Sequence, residues 1–382
     1  MNPLKKVLKR LSKKYVFKYN LVTSKIYYKK KKSNKYIEIN DFILNSLFVE
    51  NKKEIKGLSL VDFTTALKSD LCTPYNPFEE YFNNLPQWDG NTDYIKQLSD
   101  TVTIDRKRHW EKFFKKWIVS VVACVLSEDK VNHQTLIFVG KQGVGKTTWL
   151  NKLLPKELKQ YIYMGVINNS KDAQIHLSEC MFINIDEFET IGKKGLNQLK
   201  SIITQNHIRI RRPYGRISES LMRRASFMAS VNDSAFLTDT TGNRRFLVFE
   251  TEHINYTHNI DLKKVYSQCL HLIKQGFEHN INGKEILKIS KINERYRLRT
   301  FEEELLLQNF KVSHKAKGEI LTTTQILQRI NENSKTYMGN SSLITLGKAL
   351  SKHKFLKGRT KKKQHGWWVK QISKPKKRNS NY

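Results

Sequence analysis

The residues with the clearest chemistry are Gly140-Lys141-Gln142-Gly143-Val144-Gly145-Lys146-Thr147, which fit the phosphate-loop pattern G-x-x-x-x-G-K-[ST] at each fixed position. That spacing suits a nucleoside triphosphate, ATP, with Mg²⁺. Glycines let the backbone close around phosphate oxygens, and the N–H groups of Gly140, Gln142, Gly143, Val144, Gly145 and Thr148 can form an anion nest. Lys146 is placed to reach the β and γ phosphates, and the Thr147 hydroxyl to hold Mg²⁺.

Other stretches bear on the fate of the triphosphate. Met181-Phe182-Ile183-Asn184-Ile185-Asp186-Glu187 is an apolar run ending in two acids. Asp186, at the carboxyl end of a strand, would complete the Mg²⁺ shell, and Glu187 would polarise an attacking water. Ala225 to Val231 is a second apolar run, ending at Asn232. That amide can orient water at the γ-phosphate, although asparagine also serves as a plain turn residue. Thr241-Gly242-Asn243-Arg244-Arg245-Phe246 puts two arginines on a glycine turn. Arg244 or Arg245 would act as a finger on transition-state charge, in many such enzymes from a neighbouring subunit. Between the acids and the amide lies Ile208-Arg209-Ile210-Arg211-Arg212-Pro213-Tyr214-Gly215-Arg216. Alternation followed by Pro-x-Gly predicts a β-hairpin. Its Arg209, Arg211, Arg212, Tyr214 and Arg216 combine phosphate contacts with stacking, as a channel for single-stranded nucleic acid needs.

These groups meet only if the chain folds to bring them together. The apolar runs predict strands over 135–139, 181–185, 225–231 and 246–250, in a parallel sheet with helices on its faces, so the fold class is α/β. Thr148 to Leu154 predicts a helix opening at the phosphate loop and stopping near Pro155. Trp110, Phe113, Phe114, Trp117, Ile118, Val121, Val122 and Val125 recur at three- and four-residue spacing, the stripe of a core helix rather than a base-stacking surface. The organisation expected is a basic region over 1–70, with a strand pair within Lys13–Tyr28 and a helix over Ile39–Leu47. A helical domain follows over 71–130 and the ATPase-like core over 131–260. A helical lid or bridge spans 261–315, with helices over 261–277 and 284–310. A small domain of helices and a hairpin covers 316–372, and a basic tail 373–382.

Composition narrows the partners. The formal net charge is +34, and 27 of the excess cations sit at the two ends, thirteen in residues 1–35 and fourteen in 333–382, where there is no acid. Acid-free basic blocks bind polyanions, and nucleic acid is the natural one. No apolar run is long enough to span a membrane and no apolar stretch follows the basic start, so neither a membrane segment nor a secretory signal is expected. Cys72, Cys124, Cys180 and Cys269 lack metal-ligand spacing and read as small buried hydrophobes, in keeping with a reducing cytoplasm.

In this order, phosphate loop, Asp-Glu strand, basic hairpin, Asn-tipped strand and Gly-Asn-Arg-Arg-Phe, the chain resembles the virulence-associated protein E family, superfamily 3 helicase-like ATPases of phages and mobile elements. Leu85-Pro86-Gln87-Trp88-Asp89-Gly90-Asn91 is similar to that family's Pro-x-Trp-Asp-Gly segment. The resemblance covers roughly residues 75–310. It implies an AAA+-like core, hexameric, coupling ATP hydrolysis to DNA unwinding. Lys146 and Thr147 would be the phosphate and Mg²⁺ ligands, Asp186 and Glu187 the acidic pair, Asn232 the sensor, and Arg244 or Arg245 the finger. Relatives often carry an N-terminal primase; the roughly 70 residues here are too few for one, so a separate primase or polymerase is implied. The C-terminal region resembles a winged helix, with helices over Thr322–Asn333 and Ser342–His353. A wing over Phe355–Val369 would carry Arg359, Lys361, Lys362 and Lys363 against duplex DNA. A nucleotide-switched, non-enzymatic DNA-binding regulator would share these features, and a small-molecule kinase would share the phosphate loop alone.

Overall fold

The computed structural model describes residues 2–372 apart from 169, 213, 214, 216, 234, 238–241, 316, 335 and 336. The chain divides into two compact units, Met1–Tyr296 and Arg297–Tyr382.

The first unit opens with helix α1 (Pro3–Lys14), capped by Asn2, then β1 (Tyr15–Asn20), β2 (Ile26–Lys30), β3 (Ile37–Glu38), α2 (Asp41–Lys52), α3 (Leu60–Leu67) and β4 (Cys72–Tyr75). The strands form a sheet in the order β3-β2-β1-β4, with β1 parallel to β4 and antiparallel to β2. One face, with Tyr15 and Phe17, packs on Val7, Leu11, Leu47, Phe63 and Leu67 of the helices. The strand pair expected within Lys13–Tyr28 is β1 with β2, and the helix expected over Ile39–Leu47 is α2, which runs on to Lys52. The alternating aromatic and β-branched residues of 15–30 make sheet, as the strand pair expected there requires.

Next come α4 (Pro77–Asn83), α5 (Tyr94–Ser99), β5 (Val102–Ile104) and α6 (Lys107–Leu126). All eight residues of the predicted stripe on α6 are buried. The segment 85–91 is a structural clip. Asp89 accepts from the Asn91 and Thr92 amides (3.0 and 2.9 Å), Gly90 has φ 79°, and the Trp88 ring lies 4.8 Å from His271.

The remaining elements of this unit build the main sheet, the helices that cover it and a separate hairpin. They are β6 (Thr135–Val139), α7 (Lys146–Lys152), β7 (Ile162–Met164), α8 (Lys171–Glu179), β8 (Phe182–Ile185), α9 (Lys193–Ile203), β9 (His207–Ile210), β10 (Glu219–Met222), β11 (Ser226–Val231), β12 (Phe246–Ile254), α10 (Leu262–Lys274) and α11 (Gly283–Asn293). The sheet order is β5-β12-β6-β11-β8-β7, parallel except for β5 at one edge. Its strands are apolar on both faces, as a covered parallel sheet demands. Leu136 and Phe138 face α6, α7 and α10, whereas Ile137 and Val139 face α8 and α9. The four predicted strands are present, and the three-residue strands β5 and β7 extend the edges. β9 and β10 pair as an antiparallel hairpin apart from this sheet. Arg223, 1% exposed, closes the hairpin's base by donating to the carbonyls of Ile203 (2.7 Å), Asn132 (3.0 Å) and Ala225 (2.9 Å).

The second unit contains α12 (Phe301–Asn309), β13 (Phe310–Val312), β14 (Glu319–Leu321), α13 (Thr323–Ser334), α14 (Ser342–Lys352), β15 (Leu356–Arg359) and β16 (His365–Gln371). All three other strands pair with β16. Ile326, Ile330, Leu346, Leu350 and Val369 make its core. Buried Glu303 is held by Arg297 and by His353 Nε2 at 2.6 Å. The helix expected over 284–310 is broken. It stops at Asn293, makes a 3₁₀ turn, and restarts at Phe301, where the Thr300 hydroxyl accepts from the Glu303 amide (3.3 Å). The four cysteines are buried and unpaired. Among the described residues no helix is long and apolar enough to cross a membrane.

Candidate functional site

The parallel sheet fixes the site by register. β6 ends at Val139, and Gly140 is tied to β11 through its N–H to the Val231 carbonyl (3.1 Å). The loop then turns through Gly143 (φ 84°) and Gly145 (φ 91°) into α7. The left-handed angle requires glycine, and close approach adds to it at Gly145, where a Cβ would stand 2.2 Å from Cδ1 of Tyr256. Because β11 lies between β6 and β8, the ends of three strands converge on the start of α7.

Lys146 begins α7 almost fully buried, and its Nζ donates to the carbonyls of Gly140 (2.6 Å) and Lys141 (2.8 Å) and to Asn232 Oδ1 (3.0 Å). Burial pulls its pKa below the usual lysine range, and the charges of Glu189 and Asp186 oppose the fall. The Thr147 hydroxyl donates to Asp186 Oδ1 (3.0 Å) and lies 3.1 Å from Ser230 Oγ, which also donates to Asp186. Glu187 is exposed beside it in the left-handed region (φ 52°), an uncommon place for a side chain other than glycine. Gln142, Gly143, Gly145, Lys146, Thr147, Thr148, Asp186, Glu187, Asn232 and Tyr256 share a cleft of about 320 Å³. A hydroxyl and a carboxylate oxygen at 3.0 Å, on an open cleft, make a hard oxygen donor set. That set fits Mg²⁺, which takes one or two protein carboxylates and completes its shell with water and phosphate.

Three residues of this site carried no signal in the sequence reading. Ser230 bridges Thr147 and Asp186; it lies two residues before Asn232 on β11, and strand periodicity puts both on one face. Glu189 accepts from the Asn232 backbone N–H through Oε1 (3.0 Å), while its buried Oε2 has no partner among the described residues. Tyr256 comes after β12, and Lys152 Nζ holds its loop through the carbonyls of Tyr256 (3.2 Å) and His258 (2.5 Å).

Arg244 and Arg245 are not brought to this cleft. Phe246 pairs with Thr135 and Glu250 with Val139, so the arginines stand at the amino edge of the sheet. Four residues of strand, roughly 13 Å, separate that edge from the phosphate loop. They line a different cleft of about 480 Å³ with Lys130, His133 and His279. Arg244 is exposed; Arg245 is half-buried, its pKa lowered by burial and by Arg244.

On the hairpin, Arg209 and Arg211 are exposed. Arg212 does not fit the expectation of a free phosphate contact. It is paired with Glu179 and with Glu219 (3.4 Å), and it donates to the Val22 carbonyl (2.9 Å), pinning the hairpin to α8 and the N-terminal sheet. Tyr214 and Arg216 lie outside the described residues, as does the tail 373–382. In the second unit Arg359, Lys361, Lys362 and Lys363 are exposed around the β15–β16 turn, where Thr360 N–H donates to the Gln364 carbonyl (2.9 Å).

The family model described as virulence-associated protein E-like domain matches residues 82–298. No curated protein matches the chain. Among solved structures, the apo NrS-1 C-terminal region (305–718) is 14% identical, with 96% of this chain and 98% of that one covered and a TM-score of 0.49. The A form of the same region is 13% identical, with 98% and 100% covered and a TM-score of 0.49.

Proposed function

The chain belongs to the virulence-associated protein E-like domain family, and from that premise we propose that it is an ATP-hydrolysing DNA helicase of a phage or mobile element. The observation that carries the reading is the meeting of Lys146, Thr147, Asp186 and Asn232, from three separate strand ends, within hydrogen-bonding distance. A phosphate loop with α7 behind it offers backbone N–H groups and a helix N-terminus to phosphate oxygens. Lys146, now held by two loop carbonyls, would exchange them for β and γ phosphate oxygens. Thr147 and Asp186 would hold Mg²⁺, which supplies charge neutralisation on the phosphates. Glu187 would take the proton of the attacking water, and Asn232, its backbone N–H fixed by Glu189, would orient that water through its side chain. These residues make an AAA+-like P-loop core the natural description of the first unit's main sheet.

The place of Arg244 and Arg245 favours a homo-oligomer, in keeping with the hexamer the family resemblance implies. A residue at the amino edge of the sheet is out of reach of its own phosphate loop, so a finger role needs a neighbouring subunit. Arg209 and Arg211 on the hairpin would contact single-stranded DNA. The second unit would act as a winged helix, with Ser342–Lys352 towards duplex DNA and Arg359, Lys361, Lys362 and Lys363 on phosphates. Primers would come from a separate primase or polymerase, and the work would be done in the cytoplasm of a bacterial host, at the nucleoid. The test is steady-state ATP turnover with and without single-stranded DNA. The reading expects stimulation by DNA, loss of turnover in Lys146→Ala, and ATP binding without turnover in Glu187→Gln. Turnover in Lys146→Ala at the wild-type rate refutes it, and a Glu187→Gln protein with full biological function would favour a nucleotide-switched regulator.

A further inference from the structure

The N-terminal sheet has a second face, turned away from α1, α2 and α3; its end at Asn20 is buried against Tyr161, and the rest carries half-buried lysines and tyrosines. Strand alternation sends Phe17 and Tyr28 into the helical core and Lys18 and Tyr27 the other way. Register then sets one row across all four strands: Glu38, Tyr27, Lys18 and Thr73. Beside that row lie Lys29 from β2 and Tyr75 from β4. Tyr36, just before β3, completes the set: Lys18 Nζ and Lys29 Nζ stand 5.1 and 5.0 Å from its ring centre, and Lys18 Nζ is 5.0 Å from the ring centre of Tyr75. These lysines and tyrosines are half-buried, neither sealed nor stripped bare.

We propose that this face is a binding site for single-stranded DNA, separate from the hairpin of the main sheet. The surroundings are cationic. Lys30 ends β2, Lys31, Lys32 and Lys35 follow it, and residues 1–35 hold no acid. The carboxylates on or beside the face are already committed, Glu38 to Lys25 (2.8 Å) and Tyr27 (3.2 Å), Glu80 to Lys18 (3.3 Å). Phosphates draw lysine ammonium groups off aromatic rings, and the uncovered rings then take bases. This exchange gives sequence-tolerant affinity, because every base has a π-face. A four-stranded sheet with outward aromatics is wide enough to stack two or three bases. A duplex, whose bases are already stacked, gains only the phosphate part. The flat aromatic face thus selects single strands, while the lysines supply salt-sensitive attraction.

The test is equilibrium binding of a fluorescent oligo-thymidine strand, followed by anisotropy, on the full chain without nucleotide. Its outcome stands whether or not the chain hydrolyses ATP. Tyr36→Ala is expected to weaken binding by roughly fivefold to a hundredfold, the range for losing one stacked base, and Tyr36→Phe to bind as the wild type does. Lys29→Gln should lower the slope of log affinity against log salt by about 0.7, the value for one phosphate contact on a single strand. Arg209→Ala with Arg211→Ala measures the hairpin's share separately. Circular dichroism on each variant separates lost contact from lost fold. Single-strand affinity in folded Tyr36→Ala within twofold of wild type, or an equal loss in Tyr36→Phe, overturns the proposal.

Discussion

Replacing Gly145 by alanine tests the site's architecture at its tightest point. The residue has φ 91° and ψ 17°, and an alanine held in the left-handed region costs about 1–2 kcal/mol. The added Cβ would also meet Tyr256, at 2.2 Å from Cδ1 and 2.9 Å from both Cε1 and Cγ, far inside the roughly 3.5–4.0 Å of ordinary carbon contact. Lys152 grips the carbonyls of Tyr256 and His258, so the ring rather than its backbone must give way. Turning the ring off its rotamer adds about 0.5–1.5 kcal/mol. Together these predict a nucleotide affinity reduced by about tenfold to three-hundredfold at about 1.4 kcal/mol per decade. The assay is titration with a fluorescent ATP analogue in a double-mutant cycle. In the Tyr256→Ala background, Gly145→Ala should keep only its backbone cost, so the cycle should show a coupling of about 0.5–1.5 kcal/mol. An unchanged affinity for Gly145→Ala, or the same loss in both backgrounds, refutes the contact and the loop geometry built on it.

Other consequences can be checked by substitution and by pH. Arg223→Met leaves three buried carbonyls without their donor, and at about 1–3 kcal/mol for each unsatisfied group it should lower the melting temperature by many degrees. Burial alone would raise the Glu285 carboxyl, but hydrogen bonds from Lys112 and Lys116 overcome this and hold its pKa down to about 2. A depressed carboxylate stabilises the fold above its unfolded pKa of about 4.3 and loses that contribution as pH falls towards 2. Acid unfolding of Glu285→Gln should therefore begin from a lower stability at pH 7 and show less further loss over that window. Mixing Lys146→Ala chains with Arg244→Ala/Arg245→Ala chains should restore turnover that neither gives alone, because mixed interfaces recover an intact loop facing an intact finger. Mixtures that stay as inactive as their parts contradict the shared site.

The legible parts of the chain were those where one local rule suffices. The runs 135–139, 182–185 and 226–231 are buried throughout and mostly apolar because both faces of their sheet are covered, and the stripe on α6 repeats with the helix. The phosphate loop is legible because its glycines answer to backbone angles. Helix α1 had a signal too, in Leu4, Val7, Leu8 and Leu11, masked by the lysines between them. By contrast, nothing local separates Arg212 from Arg209. The difference is Glu179, 33 residues away in sequence, which meets only one of them. Tyr256 likewise becomes part of the site through the turn after β12 and the grip of Lys152, neither of which leaves a spacing to read. Strands β5 and β7, three residues each, owe their state to the neighbours they pair with.

The central claim is that hydrolysis at the Lys146–Asp186 cleft drives movement along a DNA strand. It is tested most directly by displacement of a labelled strand from a forked duplex. The expected result is displacement with ATP and Mg²⁺, none with a non-hydrolysable analogue, and none with Glu187→Gln, even though that variant binds both nucleotide and DNA. Displacement that proceeds equally with the analogue, or in Glu187→Gln, would contradict the claim.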